Sequence, residues 1–483
     1  MKTFAFTPTD LNPPVVRPRL RLVALLTAIA TFAGCASFSP DGGFSTVERA
    51  AKERLGKEVR WARTPAEQDG IDQRVGELLA KPLSADDAVQ ISLLNNRGLQ
   101  ASFQELGITE AEVVQAGRVP NPGFSFSRLR RGDEIELARG IHFKLARMIA
   151  MPMIGAMEAG RFEARQRLVT MTMLSVAADT RKAWVSALAA EETVRYMQRV
   201  LQAAEAGAEL ARRMEQVGNF NKLRRAREQS FYADAALNLA RAEQAQRATR
   251  ERLTRLLGLW GAQTQFKLPD RLPDLPSDLV DRPDIERVAL AQRLDVQGAK
   301  LAAEQTARNL GLTKTTRFIN VLELGVVRNS SNEAPTQRGW EIGVELPLFD
   351  WGGARVLRAE AVYMQAVHRA AETAIHARSE LREAYGAWRS AYDIARHHQD
   401  EIVPLRKQIA EENLLRYNGM LIGVFELLAD ARLQIASVNA AIEAKRDFWL
   451  AQADLDMALI GKPSLTPSAG PAAAAGTGDA AAH

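Results

Sequence analysis

The chain contains one structural unit twice, and this duplication constrains its fold more than any other feature. A stretch of about 180 residues beginning near Pro82 is followed, at an offset of roughly 200, by a second with the same order of signals. Each has a medium helix, an alternating hairpin, a very long helix, a glycine turn and a helix ending in Leu-Gly or its counterpart. Asn95-Asn96-Arg97-Gly98-Leu99 answers Gln292-Arg293-Leu294-Asp295-Val296, and Met151-Pro152-Met153 answers Leu346-Pro347-Leu348. Gly218-Asn219-Phe220 answers Met420-Leu421-Ile422, and Leu257-Gly258 answers Ile460-Gly461. Two copies of a unit that each carry a hairpin imply a pseudo-symmetric wall, not two unrelated domains.

The helical parts follow from what the sequence omits. After Gly160, residues up to 216 contain no Pro or Gly except Gly207, and residues 354–418 contain only Gly386 and Pro404. Helices of those lengths run about 85–100 Å at 1.5 Å per residue, and they need lateral partners along their whole length. Each is expected to turn at a glycine and return, through residues 221–257 and 424–460. The 63 basic and 58 acidic residues are interleaved and leave a formal charge of +5, the pattern of solvated helix faces and not of a nucleic-acid footprint. A medium helix is expected over residues 84–119, opened by the capping pattern Ser84-Ala85-Asp86-Asp87 and stopped by Pro120-Asn121-Pro122-Gly123.

Two segments have a different period. Ile135, Leu137, Arg139, Ile141, Phe143 and Leu145 alternate with Glu136, Ala138, Gly140, His142 and Lys144, which marks a strand with one apolar and one polar face. Its partner is residues 123–130, joined through Arg131-Gly132-Asp133. In the second half Trp340, Ile342, Val344, Leu346 and Leu348 alternate with Glu341, Gly343 and Glu345. A strand over residues 320–328 and a polar loop over 329–338 precede them. Strands of about ten residues can cross a bilayer when tilted, but two hairpins alone cannot close a barrel.

The N-terminus carries Lys2, Arg17, Arg19 and Arg21, then an apolar run from Leu22 to Phe32, then Ala33-Gly34-Cys35. This is the layout of a secretory signal, too short to remain as a spanning helix. Cys35 is the only cysteine, so no intramolecular disulfide can form. The residues around it resemble the lipobox of bacterial lipoproteins. The resemblance implies cleavage before Cys35, lipidation of its thiol and, with Ala36 following, delivery to the outer membrane. Residues 36–80 show little periodicity and read as an extended arm with short helical pieces. Residues 261–283, with Pro269, Pro273, Pro276 and Pro283, read as a crossover linker, and residues 462–483 as a disordered Pro/Ala/Gly-rich tail.

The string from Gly343 through Pro347, Phe349-Asp350-Trp351-Gly352-Gly353 to Arg355 resembles the strand-to-helix junction of the TolC-like outer-membrane efflux proteins. Arg416-Tyr417-Asn418-Gly419 through Glu426-Leu427-Leu428 resembles that family's second periplasmic turn, with Met420 where the family usually has Gly. Asn95-Asn96, Leu99-Gln100, Asn121-Pro122 and Gly218 agree in the first half. The resemblance covers residues 80–461 and implies a mainly α chain with a small membrane β portion. In the family, four strands from each of three chains close a twelve-stranded barrel, continued by a periplasmic α-helical barrel. The implied organisation is signal peptide 1–34, lipidated arm 35–80, first repeat 81–260, linker 261–283, second repeat 284–461 and tail 462–483.

The resemblance implies no enzyme and no cofactor. It implies a lipid-anchored outer-membrane channel of a tripartite efflux system, passively conducting small molecules or metal ions. Its partners would be two further copies of itself, a periplasmic adaptor, an inner-membrane pump and outer-membrane lipid. The candidate docking tip and gate comprises Gly218, Asn219, Phe220, Arg416, Tyr417, Asn418, Gly419, Met420 and Gly423. Arg212, Arg213, Lys222, Arg224 and Arg225 are nearby candidates for pairing with an adaptor. Met148, Met151, Met153, Met157, Met171 and Met173 offer thioethers to a soft ion such as Cu(I), but without neighbouring Cys or His they read as apolar filler. His397-His398, near Asp400 and Glu401, reads as helix surface. Two rival classes stay open: a periplasmic adaptor, which normally has one helical hairpin, and a coiled-coil scaffold, which leaves the signal, Cys35 and the hairpins unexplained.

Overall fold

The computed structural model describes residues 37–279, 284–316, 321–345 and 348–465. Cys35, the apolar run before it and the tail beyond Leu465 lie outside the described residues. The elements in chain order are α1 (Ser45–Leu55), α2 (Pro65–Leu79), α3 (Ala85–Asn95), α4 (Arg97–Ala116), β1 (Gly123–Arg131), β2 (Glu134–Lys144), α5 (Leu145–Gln216) and α6 (Lys222–Leu257). After a short 3-10 turn (Gly261–Thr264) follow α7 (Ile285–Gln292), α8 (Leu294–Thr316), β3 (Leu322–Ser331), β4 (Gln337–Val344), α9 (Gly353–His397), a π turn (His398–Ile402), α10 (Val403–Asn418) and α11 (Val424–Ile460).

The chain divides into two compact units, and both cut across the repeats. One pools the hairpins of the two halves, with the described residues of 37–40, 109–162 and 311–357; the other pools the helices, with those of 41–108, 163–310 and 358–465. In the first unit the strands form one antiparallel sheet in the order β1-β2-β3-β4, so β2 of the first half pairs with β3 of the second. The expected polar loop 329–338 is shorter than the sequence implied. Asn329 pairs with Gln337 and Arg328 with Arg338, which leaves only residues 332–336 between the strands. Asn332 locks that loop to the neighbouring hairpin, accepting from Ile135 N at 2.7 Å and donating to Asp133 O at 2.9 Å.

In the second unit the buried residues form two main clusters. Trp184, Leu188, Leu253, Leu257 and Ile91 of the first half pack together with Ile442 of the second, and Leu381, Ala384, Trp388, Phe448 and Leu455 of the second half form the other. The medium helix of each half is broken, where the sequence implied one continuous helix over 84–119. Asn96 (φ −65°, ψ 115°) separates α3 from α4, and Arg293 (φ −64°, ψ 123°) separates α7 from α8. The reason is the same in both halves: a polar side chain at the break captures carbonyls at the end of the return helix. Asn95 Nδ2 donates to the carbonyls of Leu257 (3.1 Å) and Gly258 (2.8 Å), and Asn96 Nδ2 to that of Leu256 (2.8 Å). Arg293 Nη1 donates to the carbonyl of Ala458 in the last turn of α11 and to that of Ala377 within α9, each at 3.3 Å. The bonds to Leu256, Leu257, Gly258 and Ala458 satisfy acceptors at helix ends that would otherwise be orphaned.

Gly258 sits at the tightest of these contacts. It has φ +66°, and a Cβ there would stand 2.5 Å from the Asn95 carbonyl oxygen. Gly258→Ala is therefore expected to destabilise the first-half core by about 2 kcal/mol or more, combining left-handed strain with a backbone clash. Thermal unfolding of the purified variant measures this.

Three further differences from the sequence reading have local causes. The first long helix starts at Leu145, so Met151-Pro152-Met153 lies within α5 and not at a strand-to-helix junction. The expected helix over 354–418 is interrupted by the π turn just before Pro404, whose ring would clash with the Asp400 carbonyl four residues back. The arm holds two full helices: α2 is opened by a capping box between Thr64 and Glu67 and buries Ile71 and Val75. The Pro-rich linker is strapped down, not free. Trp449 Nε1 donates to Pro273 O at 3.1 Å, and the Tyr392 hydroxyl to the carbonyls of Pro276 (3.0 Å) and Ser277 (2.9 Å).

Candidate docking tip

Both helical hairpins turn by the same device. In the first, Gly218 N donates to Glu215 O and Asn219 N to Met214 O, each at 2.9 Å, with Gly218 at φ +79°. In the second, Met420 N donates to Tyr417 O and Leu421 N to Arg416 O, again at 2.9 Å. This is a Schellman arrangement in both, and it requires a left-handed residue at the position held by Gly218 and Met420. Met420, at φ +59°, is the one non-glycine residue with positive φ among the described residues. The missing glycine of the second turn is thus replaced in function, at a conformational cost, and Gly419 (φ −78°) is merely the residue before it. Met420→Gly is expected to raise stability by about 1 kcal/mol, read from the unfolding midpoint, because the strain is removed.

The other candidate residues surround these turns. Asn221 caps α6, its Oδ1 accepting from Arg224 N at 2.9 Å, and Gly423 is the extended residue before α11. Phe220 is buried, whereas Val217, Met420 (94% exposed) and Leu421 present apolar surface to solvent. Arg416 and Tyr417 contribute carbonyls to the turn, and Asn418 closes α10.

The basic residues are less available than their sequence positions imply. Arg212 and Arg213 both bind Glu209, at 2.8 and 2.7 Å, and Arg225 binds Glu215 at 2.7 Å. Hydrogen bonds from Arg212, then Arg213, hold the Glu209 carboxyl down at about 2 from its ordinary 4.5. A carboxyl so lowered supports this corner at neutral pH and loses that support only as pH falls below its ordinary value toward 2. Lys222 lies exposed at the first residue of α6.

Sequence reasoning missed the bridge between the hairpins. Glu228 of α6 is buried, and both its oxygens lie 2.9 Å from Arg432 Nη2 of α11. The guanidinium also stacks over Phe231 at 4.2 Å. A signal was present: Glu228 precedes Phe231 and Ala235 by three and seven residues, on the helix face that turns inward. Near the π turn, burial and then the charge of His397 lower the pKa of His398. Among the described residues no group of three or more His, Cys, Asp or Glu is arranged to hold a metal ion, and no helix is long and apolar enough to cross a membrane.

No family model matches the chain. It is 26% identical over 289 residues to the cobalt-zinc-cadmium resistance protein CzcC of Cupriavidus metallidurans, covering 56% of this chain and 64% of that relative, just under two thirds of its length. The fold matches the outer membrane channel CmeC of Campylobacter jejuni with a TM-score of 0.65 and 18% identity, over 83% of this chain and 89% of that one. It matches the open state of the MtrE outer membrane channel of Neisseria gonorrhoeae with a TM-score of 0.64 and 18% identity, over 78% and 90%. Duplicated hairpins pooled in one sheet and paired helical hairpins closed by matching turns give this chain the TolC-like fold of the outer-membrane channels.

Proposed function

We propose that the chain is the outer-membrane channel of a tripartite efflux system, passively conducting small molecules or metal ions delivered by an inner-membrane pump and a periplasmic adaptor. The observation that carries this reading is the sheet. Its four strands expose Phe124 (70%), Val326, Trp340 (72%) and Ile342 on one face, while β1 and β4 each have, among the described residues, a strand partner on one side only. Open edges and a bare apolar face are stable in a bilayer only if the sheet closes, and three copies give a twelve-stranded barrel. The helices then form the periplasmic tube, and the turns at Gly218 and Met420 its gate and docking surface. Cys35 carries the lipid anchor. The name of the curated relative favours divalent metal cargo. A periplasmic adaptor would need neither the second hairpin nor the bare sheet.

Deleting the gene in its host and re-expressing the protein tests this. The intact protein is expected in the outer-membrane fraction and to restore growth on zinc, cobalt or cadmium. Cys35→Ser is expected to lose lipid mass. A soluble or inner-membrane product without effect on metal or drug tolerance would contradict the proposal.

A further inference from the structure

The apolar face of the sheet does not run its full height, and its boundary is cationic. The register places Phe143, Leu324 and Ile342 in one cross-strand row, and Phe124, Ile141, Val326 and Trp340 in the next. One row further toward the hairpin turns stand Phe126, Arg139, Arg328 and Arg338, with Arg139 directly opposite Arg328 and Arg328 directly opposite Arg338. Arg128 follows on β1, diagonal to Arg139, while Leu137 and Ile135 continue β2. All four arginines are exposed, and among the described residues none forms an ion pair.

Like charges directly opposite one another destabilise a sheet pair. Three guanidiniums on neighbouring strands, against a wall of aromatic and branched side chains, therefore call for an anion that the chain itself does not provide. The row lies about 7 Å along the strands from the last apolar row, at two residues per step. It lies on the side of the turns Gly132-Asp133 and 332–336, opposite the ends that lead into α5 and α9. Planar guanidiniums suit phosphate oxygens, and their stems lie along apolar surface while the charge reaches the polar boundary.

We propose that Arg139, Arg328 and Arg338, with Arg128 beside them, form a docking row for the phosphate groups of outer-leaflet lipid, the phosphorylated glycolipid headgroups on the external side. The proposal rests on the channel reading, which makes this face the lipid-facing one and the turn end the external one. The row would fix the height of the barrel in the membrane, with the exposed Leu348, Phe349 and Trp351 at the opposite end.

The test uses the full-length protein in neutral detergent, titrated with diphosphorylated lipid A, with dephosphorylated lipid A as control, and read by native mass spectrometry and thermal shift. The wild type is expected to retain the phosphorylated lipid and to melt at higher temperature with it. The triple variant Arg139→Gln, Arg328→Gln, Arg338→Gln is expected to bind it on the order of 10- to 100-fold more weakly. The triple Lys variant, which keeps the charge, is expected to retain part of the preference. Inorganic phosphate alone should not reproduce the shift. Equal binding of both lipids by the wild type, or undiminished phosphate preference in the Gln variant, would overturn the inference. Membrane fractionation and cross-linking of each protein separate the two failures. Wild type that assembles as an outer-membrane trimer without phosphate preference overturns this inference alone, and wild type that does not assemble in the outer membrane overturns the channel reading beneath it.

Discussion

Arg293→Ala is expected to cost about 3–5 kcal/mol and to give a protein that melts well below the wild type or fails to accumulate. Arg293 is 1% exposed, and it binds Asp295 Oδ2 and Glu380 Oε2, each at 2.7 Å, besides the carbonyls of Ala377 and Ala458. Burial alone would lower its pKa, but the bonds to Asp295 and Glu380 outweigh that and leave the net shift upward. Alanine would strand two carboxylates and the helix-end carbonyl of Ala458 in the second-half core. It would also leave a cavity where α7, α9 and α11 meet. Arg293→Lys keeps the charge but lacks the planar fork, and is expected to recover less than half of the loss. Circular dichroism melts of the detergent-purified proteins measure both.

Breaking the bridge between the hairpins gives the second large effect. Glu228→Ala is expected to cost about 3 kcal/mol, toward the lower end for a broken buried pair because the Arg432 side chain is 34% exposed. The pair spans α6 and α11 a few turns from Gly218 and Met420, so its loss should loosen the proposed gate before it unfolds the core. Cells carrying Glu228→Ala are expected to become more sensitive to bulky antibiotics that an intact outer membrane excludes. The exchange Glu228→Arg with Arg432→Glu should recover a substantial part of both stability and tightness. Failure of the exchange to recover anything, with both singles equally harmed, would show that packing against Phe231 matters more than charge.

Much of the architecture was legible because it rests on local rules. Alternation fixed β1 and β2 almost to the residue, and the absence of helix breakers marked the return helices at 222–257 and 424–460. The helix breaks at Asn96 and Arg293 were visible only as matching motifs. Locally, Asn96 Oδ1 accepts from Leu99 N at 3.0 Å and caps α4; the carbonyls of Leu256, Gly258 and Ala458 that hold the breaks in place are more than 150 residues away in sequence. The π turn was masked by an uninterrupted run of good helix formers, with Pro404 as its one clue. The capping box at Thr64 and Glu67 was present in the sequence and was passed over because the arm showed little periodicity.

The candidate tip was read with the same mixture. The positions of both turns followed from the duplication, and the alignment of Gly218 with Met420 holds in backbone geometry. The charged residues did not follow, because side-chain pairing is not periodic. Arg212, Arg213 and Arg225 read as candidates for pairing with an adaptor, yet each is bound to a carboxylate on its own hairpin. Glu228 was not singled out from the sequence, and it is the buried link.

Chemical cross-linking of neighbouring edge strands tests the central claim most directly. With Cys35 kept, its thiol taken up by the proposed lipid, Ser127→Cys on β1 and Glu341→Cys on β4 place one reactive thiol on the polar face of each of the two opposite sheet edges. A short bismaleimide added to intact outer membranes is expected to give covalent dimers and trimers and nothing larger, because a closed barrel of three sheets joins β1 of one copy to β4 of the next. Monomer alone in the membrane, or an open-ended ladder beyond the trimer, would contradict the closed channel.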